Sequence, residues 1–134
     1  MEINRPDVLA EVTAKFLDYE RAINENDVEA LDGAFRDGPH TVRLGMTEEL
    51  WSFDEIQAFR RARSSVGTRR ELLKYVITTY GDSLAVANAL FRRQAGKLGR
   101  QSQTWVKLEG EWQVISAHVS LRDVRPEEVP SRPE

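Results

Sequence analysis

The sequence predicts an α+β fold in which three N-terminal helices pack on a curved, mostly antiparallel sheet. Apolar residues recur at steps of three and four through the first part of the chain, which is the spacing of a buried helix face. After residue 70 the spacing changes to alternation, and short glycine-containing turns separate the alternating segments. A chain of 134 residues suits one domain, which we expect to span residues 1–123.

The first helix is predicted to begin near Pro6, because a proline in the first turn lacks only an N–H that has no partner there. Five residues then follow at helical spacing and lie on one stripe facing the core: Val8, Val12, Phe16, Tyr19 and Ile23. Tyr19 is the one member of this stripe with a polar tip. It is either a core tyrosine bonded to a backbone carbonyl or a residue of a site.

Capping patterns predict the second and third helices. Asn26, with Glu29 three residues later, opens the second helix, and Ser52, with Glu55 three residues later, opens the third. The third helix carries on its polar side Arg60, Arg61 and Arg63. Such arginines usually form a solvated face, and a role for Arg60 in a site is the alternative interpretation.

Five segments with alternating apolar residues are predicted to be strands: 40–45, which reads HTVRLG, then 71–80, 83–93, 100–108 and 111–121. Gly81-Asp82 and Glu109-Gly110 suit two-residue hairpin turns. In HTVRLG the alternation leaves open whether Arg43 faces water or a site. The tail, residues 124–134, is rich in proline and charge and is predicted to be disordered or loosely packed.

The last hairpin allows its register to be predicted. With Glu109 and Gly110 as the loop, strict alternation pairs Lys107 with Trp112, Trp105 with Val114, Gln103 with Ser116 and Gln101 with His118. One end of this face then gathers neutral amides and hydroxyls around a histidine: Gln101, Gln103, Ser116, His118 and Ser120. Polar groups are poor core material unless they are hydrogen-bonded, so we interpret the cluster as a pocket wall. The alternative is a structural histidine bonded to Gln101.

The opposite face of the last strand is predicted to carry apolar residues: Ile115, Ala117, Val119 and Leu121. A sheet with apolar residues on both faces has to be covered on both. We therefore expect helices on one face and a second subunit of a homodimer on the other.

Composition excludes several classes of function. The formal net charge is −3 with both signs interspersed, which favours neither nucleic acid nor an anionic membrane as a partner. The chain has no cysteine, and its two histidines show no ligand spacing, so we expect no metal. No phosphate-binding glycine loop or nucleophile elbow is present, and no cofactor is expected. The N-terminus lacks the basic and apolar segments of a signal peptide, which favours a cytoplasmic protein.

The order of elements and the ending GEWQVISAHVS resemble the nuclear transport factor 2-like superfamily, which includes ketosteroid isomerase and SnoaL-type proteins. More narrowly, six segments resemble the AtzH-like family: TVRLG, IQAFRRAR, VITTYG, LFRR, GRQSQTWV and AHVSLRD. The resemblance covers about residues 5 to 123. It implies a cone-shaped fold with a pocket between sheet and helices, and a dimer through the sheet.

The AtzH-like resemblance also implies a function. It indicates a small-molecule enzyme related to the decarboxylating amidohydrolase that converts 1,3-dicarboxyurea to allophanate in cyanuric acid breakdown, in a family associated also with oxalurate catabolism. It implies that Tyr19 and Arg43 act in catalysis. Relatives often carry a Gly-Glu-Asn-Leu-Tyr run where this chain reads MTEELWS, so Trp51 is expected at the pocket rim while Glu48 is retained.

The expected substrate is a small carboxylated urea or ureido acid. Arg43 would bind one carboxylate and Tyr19 would donate a proton or orient the substrate. Gln103 and His118 would bind the urea carbonyl and the far carboxylate, with Arg60 as a second clamp. Two alternatives stay open: a non-catalytic binding or accessory subunit of an amidohydrolase, and a proton-transfer enzyme like ketosteroid isomerase, which needs a carboxylate base.

Overall fold

The computed structural model describes residues 1–63 and 69–130. Three helices, Pro6–Glu25 (α1), Val28–Gly33 (α2) and Phe53–Ala62 (α3), accompany a sheet of six strands. The strands are Val42–Leu44 (β1), Glu49–Leu50 (β2), Glu71–Tyr80 (β3), Leu84–Arg92 (β4), Lys97–Leu108 (β5) and Glu111–Asp123 (β6). Their order is β2-β1-β6-β5-β4-β3, and only the β1–β6 pair is parallel. The predicted α+β fold is confirmed.

The helix ends agree with the capping patterns at α1 and α3 but not at α2. Pro6 opens α1, and the Ser52 hydroxyl accepts a hydrogen bond of 3.2 Å from the backbone N–H of Glu55. Asn26, predicted to cap α2, instead ends α1 in the left-handed conformation, with φ of 53°. Asparagine tolerates that conformation better than most residues. The cap of α2 is Asp27, which accepts from the backbone N–H of Ala30 at 3.2 Å.

The hairpin between β5 and β6 has the predicted two-residue turn. Glu109 and Gly110 both have positive φ, 54° and 79°, as the hairpin turn that matches strand twist requires. Lys107 pairs with Trp112 and Trp105 with Val114, as expected. The first part of the register is therefore correct.

Beyond Trp105 the predicted register is wrong, because β6 contains a bulge at Ile115. The next pair is Thr104 with Ser116, and Gln101 then lies opposite Val119 instead of His118. An extra residue reverses which side chains face inward. The bulge lies where β6 passes from one neighbouring segment to another along the edge that faces away from β5. Val114 forms backbone hydrogen bonds with Ala34 and Arg36, and the pairing with β1 begins at Ser116.

The core lies between α1 and the inner face of the sheet. The apolar stripe of α1 is buried there with two tryptophans of the last hairpin, Trp105 and Trp112. Each indole N–H has a partner: Trp105 donates to Gln103 at 3.0 Å, and Trp112 donates to Glu11 at 2.9 Å. Paired indoles inside a core contribute apolar burial without the cost of an unmatched donor. No helix in the described part of the chain combines the length and apolar character needed to cross a bilayer.

The predicted loose tail packs on the sheet in its first part. Val124 is buried with Leu73 and Leu98 in a small second cluster, against which Val129 also packs. Between them lies a 3-10 helix, Pro126–Glu128. The tail prediction for residues 131–134 falls outside the described residues.

Candidate functional site

A cavity of about 280 Å³ opens between the helices and the inner face of the sheet. Four of the residues predicted for a site line it, namely Tyr19 on α1, Arg43 on β1, Arg60 on α3 and Gln101 on β5. Most of the remaining wall is apolar or cationic: Ile23, Leu31, Leu50, Ile56, Phe59, Phe91, Val119, Leu121, Arg63, Arg70, Arg93 and Lys97. Four further residues complete the lining: Met46, Thr47, Glu48 and Gln94. Arg43 of HTVRLG therefore lines the cavity.

Three predicted wall residues lie on the other face of the sheet. Because of the bulge at Ile115, β6 turns Ala117 and Val119 inward, and Ser116, His118 and Ser120 outward. His118 is exposed and lies beside Ser102 of β5. The interpretation of these three residues as pocket wall is therefore wrong, and the outer face is more polar than predicted.

Trp51 and Gln103 also lie outside the cavity wall. Trp51 was expected at the pocket rim. It is 58% exposed and is not among the residues that line the cavity. Gln103 does face inward and is fully buried, but its amide oxygen accepts the Trp105 indole N–H within the core. Gln103 therefore supports the core beside the cavity.

Arg43 is held by an acidic loop that follows its own strand. Its Nη1 donates to Glu48 Oε1 at 2.9 Å, and the Thr47 hydroxyl and backbone N–H donate to Glu48 Oε2 at 2.8 and 3.2 Å. Burial raises the pKa of Glu48, but the hydrogen bonds from Thr47 and Arg43 outweigh it and leave the pKa below its ordinary value. Glu48 is thus an ionised partner of Arg43.

The close approach of Glu48 requires a glycine at position 45. A Cβ on Gly45 would lie 1.6 Å from Glu48 Oε1, far inside contact distance. The Gly45 backbone N–H also donates to the Glu48 carbonyl at 2.9 Å and closes the loop. The glycine of HTVRLG therefore allows the Arg43–Glu48 pair to form.

Arg60 is anchored by α2. Its Nη1 donates to Asp32 Oδ1 at 2.5 Å, and Gln57 donates to the other oxygen at 3.1 Å. The guanidinium lies over the Phe35 ring, 5.5 Å from the centroid. Arg60 is buried, so the solvated-face interpretation does not hold for this member of the α3 arginines.

A buried ion pair at the cavity was not predicted from the sequence. Arg70 donates to both oxygens of Glu20, from Nε at 3.0 Å and from Nη2 at 2.5 Å, and Nη2 also donates to Gln101 Oε1 at 3.0 Å. Its guanidinium lies 4.2 Å above the Phe91 ring. One signal was available: Glu20 continues the four-residue steps of Val8, Val12 and Phe16, which puts a carboxylate on the buried stripe.

Two arginines of the wall have no carboxylate or hydrogen-bond partner among the described residues, Arg63 and Arg93. Although Arg63 is exposed as a whole residue, desolvation lowers its pKa, and repulsion from Arg43 and Arg60 lowers it further. Burial lowers the pKa of Arg93, as does repulsion from Arg70 and Arg63. Both remain charged, because guanidinium groups do not deprotonate in proteins.

The cavity consequently carries surplus positive charge. Six cationic side chains line it in the described part of the chain, and four of them contact a carboxylate: Arg43, Arg60, Arg70 and Lys97, with Glu48, Asp32, Glu20 and Asp123. Two positive charges remain. A site of this kind attracts a small anion, above all one with two negative charges.

Tyr19 contributes a hydroxyl to this cationic wall. Its ring packs against Phe35 with centroids 5.8 Å apart, which fixes the side chain. No hydrogen-bond partner of the hydroxyl occurs within residues 1–63 and 69–130. The interpretation of Tyr19 as a core tyrosine bonded to a backbone carbonyl is therefore not supported. The hydroxyl is available to a ligand. The described residues contain no cluster of three or more His, Asp or Glu side chains suited to a metal.

Solved structures with the same fold include two from bacteria at high identity. A protein of unknown function from Pectobacterium atrosepticum is 50% identical, with a TM-score of 0.86 over 90% of this chain and 95% of that one. A cystatin-like fold protein from Burkholderia xenovorans is 41% identical, with a TM-score of 0.88 over 93% and 99%. A nuclear transport factor 2-like protein from Salmonella enterica, 23% identical with a TM-score of 0.71 over 90% and 94%, shares the fold.

The sequence comparisons agree with the structural ones. No curated protein matches the chain significantly. The family model described as AtzH-like matches residues 1–125, which includes all six segments quoted from the sequence. The fold is that of the nuclear transport factor 2-like proteins, and the chain belongs to the AtzH-like family.

Proposed function

We propose that the protein is an enzyme that decarboxylates a small carboxylated urea, with 1,3-dicarboxyurea as the substrate and allophanate as the product. The observation that carries this proposal is the surplus of two positive charges in a cavity of about 280 Å³. The volume suits a small metabolite, and the charge suits a compound with two carboxylates. The family resemblance supports the same substrate class.

Arg43 is the proposed anchor for one carboxylate. A guanidinium has five N–H donors, and the Glu48 pair engages only Nη1 within the described residues. The remaining donors can bind a carboxylate in a bidentate arrangement. Glu48 holds the guanidinium in place. Because Glu48 is ionised, it repels a ligand carboxylate from its own side of the guanidinium.

Tyr19 is the proposed proton donor. In the reaction the bond between nitrogen and the carboxylate carbon breaks, carbon dioxide leaves, and the electron pair stays on the nitrogen, which takes up a proton. The Tyr19 hydroxyl has no competing partner among the described residues, and Arg63 lies close enough to interact with it electrostatically. The Tyr19 hydroxyl then recovers its proton from water.

A proton-transfer enzyme of the ketosteroid isomerase type is less well supported. Its general base is a carboxylate in an apolar cavity that is free to accept a proton. Glu48 lines the cavity, yet its oxygens already accept from Arg43 and Thr47, and its pKa is lowered. Glu20 is bonded through both oxygens to Arg70. Neither carboxylate suits that role.

The test is an assay of carbon dioxide and ammonia release from freshly generated 1,3-dicarboxyurea and from a panel of ureido acids. We expect release of carbon dioxide from dicarboxyurea by the wild-type protein, with large losses in Arg43→Ala and Tyr19→Phe. Glu29→Gln, a charge change on the exposed surface of α2, is the control and should match wild type. If the protein binds compounds of the panel but turns none of them over, the enzyme proposal is wrong and the protein is a non-catalytic ligand-binding subunit.

A further inference from the structure

Gln101 lines the cavity, and its amide carries a donor that has no partner among the described residues. The side chain is only 4% exposed, and its Oε1 accepts from Arg70 Nη2 at 3.0 Å. Arginine can only donate, so this contact fixes which end of the amide is oxygen and leaves Nε2 as the free end. Gln101 Nε2 is buried without an acceptor. A buried unmatched donor costs free energy that an acceptor on a ligand would recover.

The Glu20–Arg70 pair positions that amide. Both oxygens of Glu20 receive hydrogen bonds from Arg70, whose guanidinium is also supported by the Phe91 ring below it. Gly99 lies opposite Phe91 in the sheet, and a Cβ there would lie 2.3 Å from the ring. A continuous set of contacts therefore runs from the backbone of Gly99 through Phe91 and Arg70 to Gln101. These contacts fix the orientation of the Gln101 amide.

Arg93 supplies charge next to the same wall. It follows β4, lines the cavity, and its buried Nε has no hydrogen-bond partner in the part of the chain that the structure describes. Arg70 and Arg63 repel it, and Glu20 attracts it. The position is unfavourable for a cation, and a bound anion would relieve the repulsion.

We infer that Gln101 and Arg93 form a second carboxylate-binding subsite, separate from Arg43. The two subsites lie on opposite sides of β6, because Arg43 pairs with Ala117 on one side and Gln101 pairs with Val119 on the other. Strands two places apart are separated by about 10 Å between backbones, and long side chains reach inward from both. The ligand class is a short molecule with a carboxylate at each end, which deepens and rests on the proposed function.

The test is calorimetric titration of the wild-type protein with glutarate and with butyrate. In glutarate three atoms separate the carboxyl groups, as in 1,3-dicarboxyurea, and butyrate is the same chain with one carboxylate removed. Neither compound contains the reacting nitrogen, so binding is measured without turnover. The variants are Arg93→Gln and Gln101→Leu. The control is Arg92→Gln, whose exposed side chain pairs with Glu71 outside the cavity.

We expect glutarate to bind wild type about 10- to 100-fold more tightly than butyrate, the range of one charge-assisted contact. Arg93→Gln should remove most of that preference, and Arg92→Gln should retain it. Gln101→Leu should reduce it without changing butyrate affinity by more than about threefold. If that variant does not fold, Arg93→Gln decides the matter, because it removes a repelled charge and should not destabilise the protein.

Two results would overturn the inference, and they differ in whether they also count against the proposed function. Equal binding of glutarate and butyrate, or a preference unchanged in Arg93→Gln, would remove the second subsite and leave Arg43 as the anchor of a one-carboxylate ligand. Failure of the wild-type protein to bind either compound would remove the subsite and also count against the proposed function.

Discussion

The Arg43 guanidinium donates a hydrogen bond of 2.9 Å to Glu48, five residues further along the chain, and both side chains are mostly buried. The pair lies at the cavity wall, where it sets the direction of Arg43 and offsets its charge. Arg43 is therefore preoriented for the carboxylate binding that we propose, because the cost of ordering its side chain is met within the folded protein. Arg63 and Arg93, which lack such partners in the described residues, supply the net charge of the cavity.

Substituting Glu48→Gln should change how stability depends on pH. The pKa of Glu48 is lower in the folded protein than its ordinary value of 4.5, so its ionised form stabilises the fold above that pH. This contribution is lost as pH falls from about 4.5 through the lower pKa of the folded state. Urea unfolding of wild type between pH 3 and pH 7 should therefore show a steeper acid decline than Glu48→Gln. Parallel curves would contradict the assigned role of the pair.

Substituting Gly45→Ala should disturb the Arg43 site. The new methyl group would overlap the Glu48 carboxylate, so that side chain has to move and its hydrogen bond with Arg43 is lost, at a cost of about 1–3 kcal/mol in the free energy of unfolding. We also expect a loss in kcat/KM, because Arg43 loses its fixed direction. Gly33→Ala is the matched control, since a Cβ there meets no atom within 4 Å. It should leave both quantities close to wild type, measured by chemical unfolding and by carbon dioxide release.

Substituting Tyr19→Phe should separate activity from stability. The hydroxyl has no hydrogen-bond partner in the described residues, so its removal should change the free energy of unfolding by less than about 0.5 kcal/mol. The ring contact with Phe35 is kept. If the hydroxyl donates the proton, kcat should fall about 100-fold or more. A stable variant with unchanged kcat would exclude Tyr19 as the proton donor.

Breaking the Glu20–Arg70 pair from one side should be costly. Glu20→Leu leaves a buried guanidinium without its carboxylate, and we expect a loss of about 3–5 kcal/mol in the free energy of unfolding. The double variant Glu20→Leu with Arg70→Met should recover most of it, because no charge is then left unpaired. A double-mutant cycle by urea unfolding measures the coupling. Additive losses would mean that the two side chains act independently.

The oligomeric state remains a prediction from the family resemblance. If the outer face of the sheet forms a homodimer, Ser102→Arg should weaken it, because Ser102 and His118 are exposed neighbours on that face. Glu29→Gln changes the net charge by the same amount on α2 and should have no effect. Light scattering after size-exclusion chromatography would report a monomer for the first variant and a dimer for wild type and control. Equal masses for all three would place any interface elsewhere.

The regular elements were predictable because each depends on local pattern. The spacing of Val8, Val12 and Phe16 predicted α1, the Ser52 cap predicted α3, and Glu109-Gly110 predicted the last turn. The bulge at Ile115 was not predictable, since it depends on which segments lie beside β6 at Val114 and Ser116. That one residue moved His118 from the pocket to the outer face.

The cavity itself was predictable only in part. Tyr19 and Arg43 followed from the family resemblance, and Gln101 from its face on β5. The Glu20–Arg70 pair joins residues 50 positions apart, and nothing in the local sequence near Arg70 indicates its partner. Arg93 ends the predicted strand 83–93 on the same face as Phe91, but the alternation alone does not show that a cavity lies beside it.

A crystal structure of the protein with glutarate bound tests the central claim most directly. We predict one carboxylate within hydrogen-bond distance of Arg43 and the other within reach of Arg93 and Gln101 Nε2, with Tyr19 facing the chain between them. Glutarate bound outside the cavity, or inside it without contact to any of these arginines, would contradict the account.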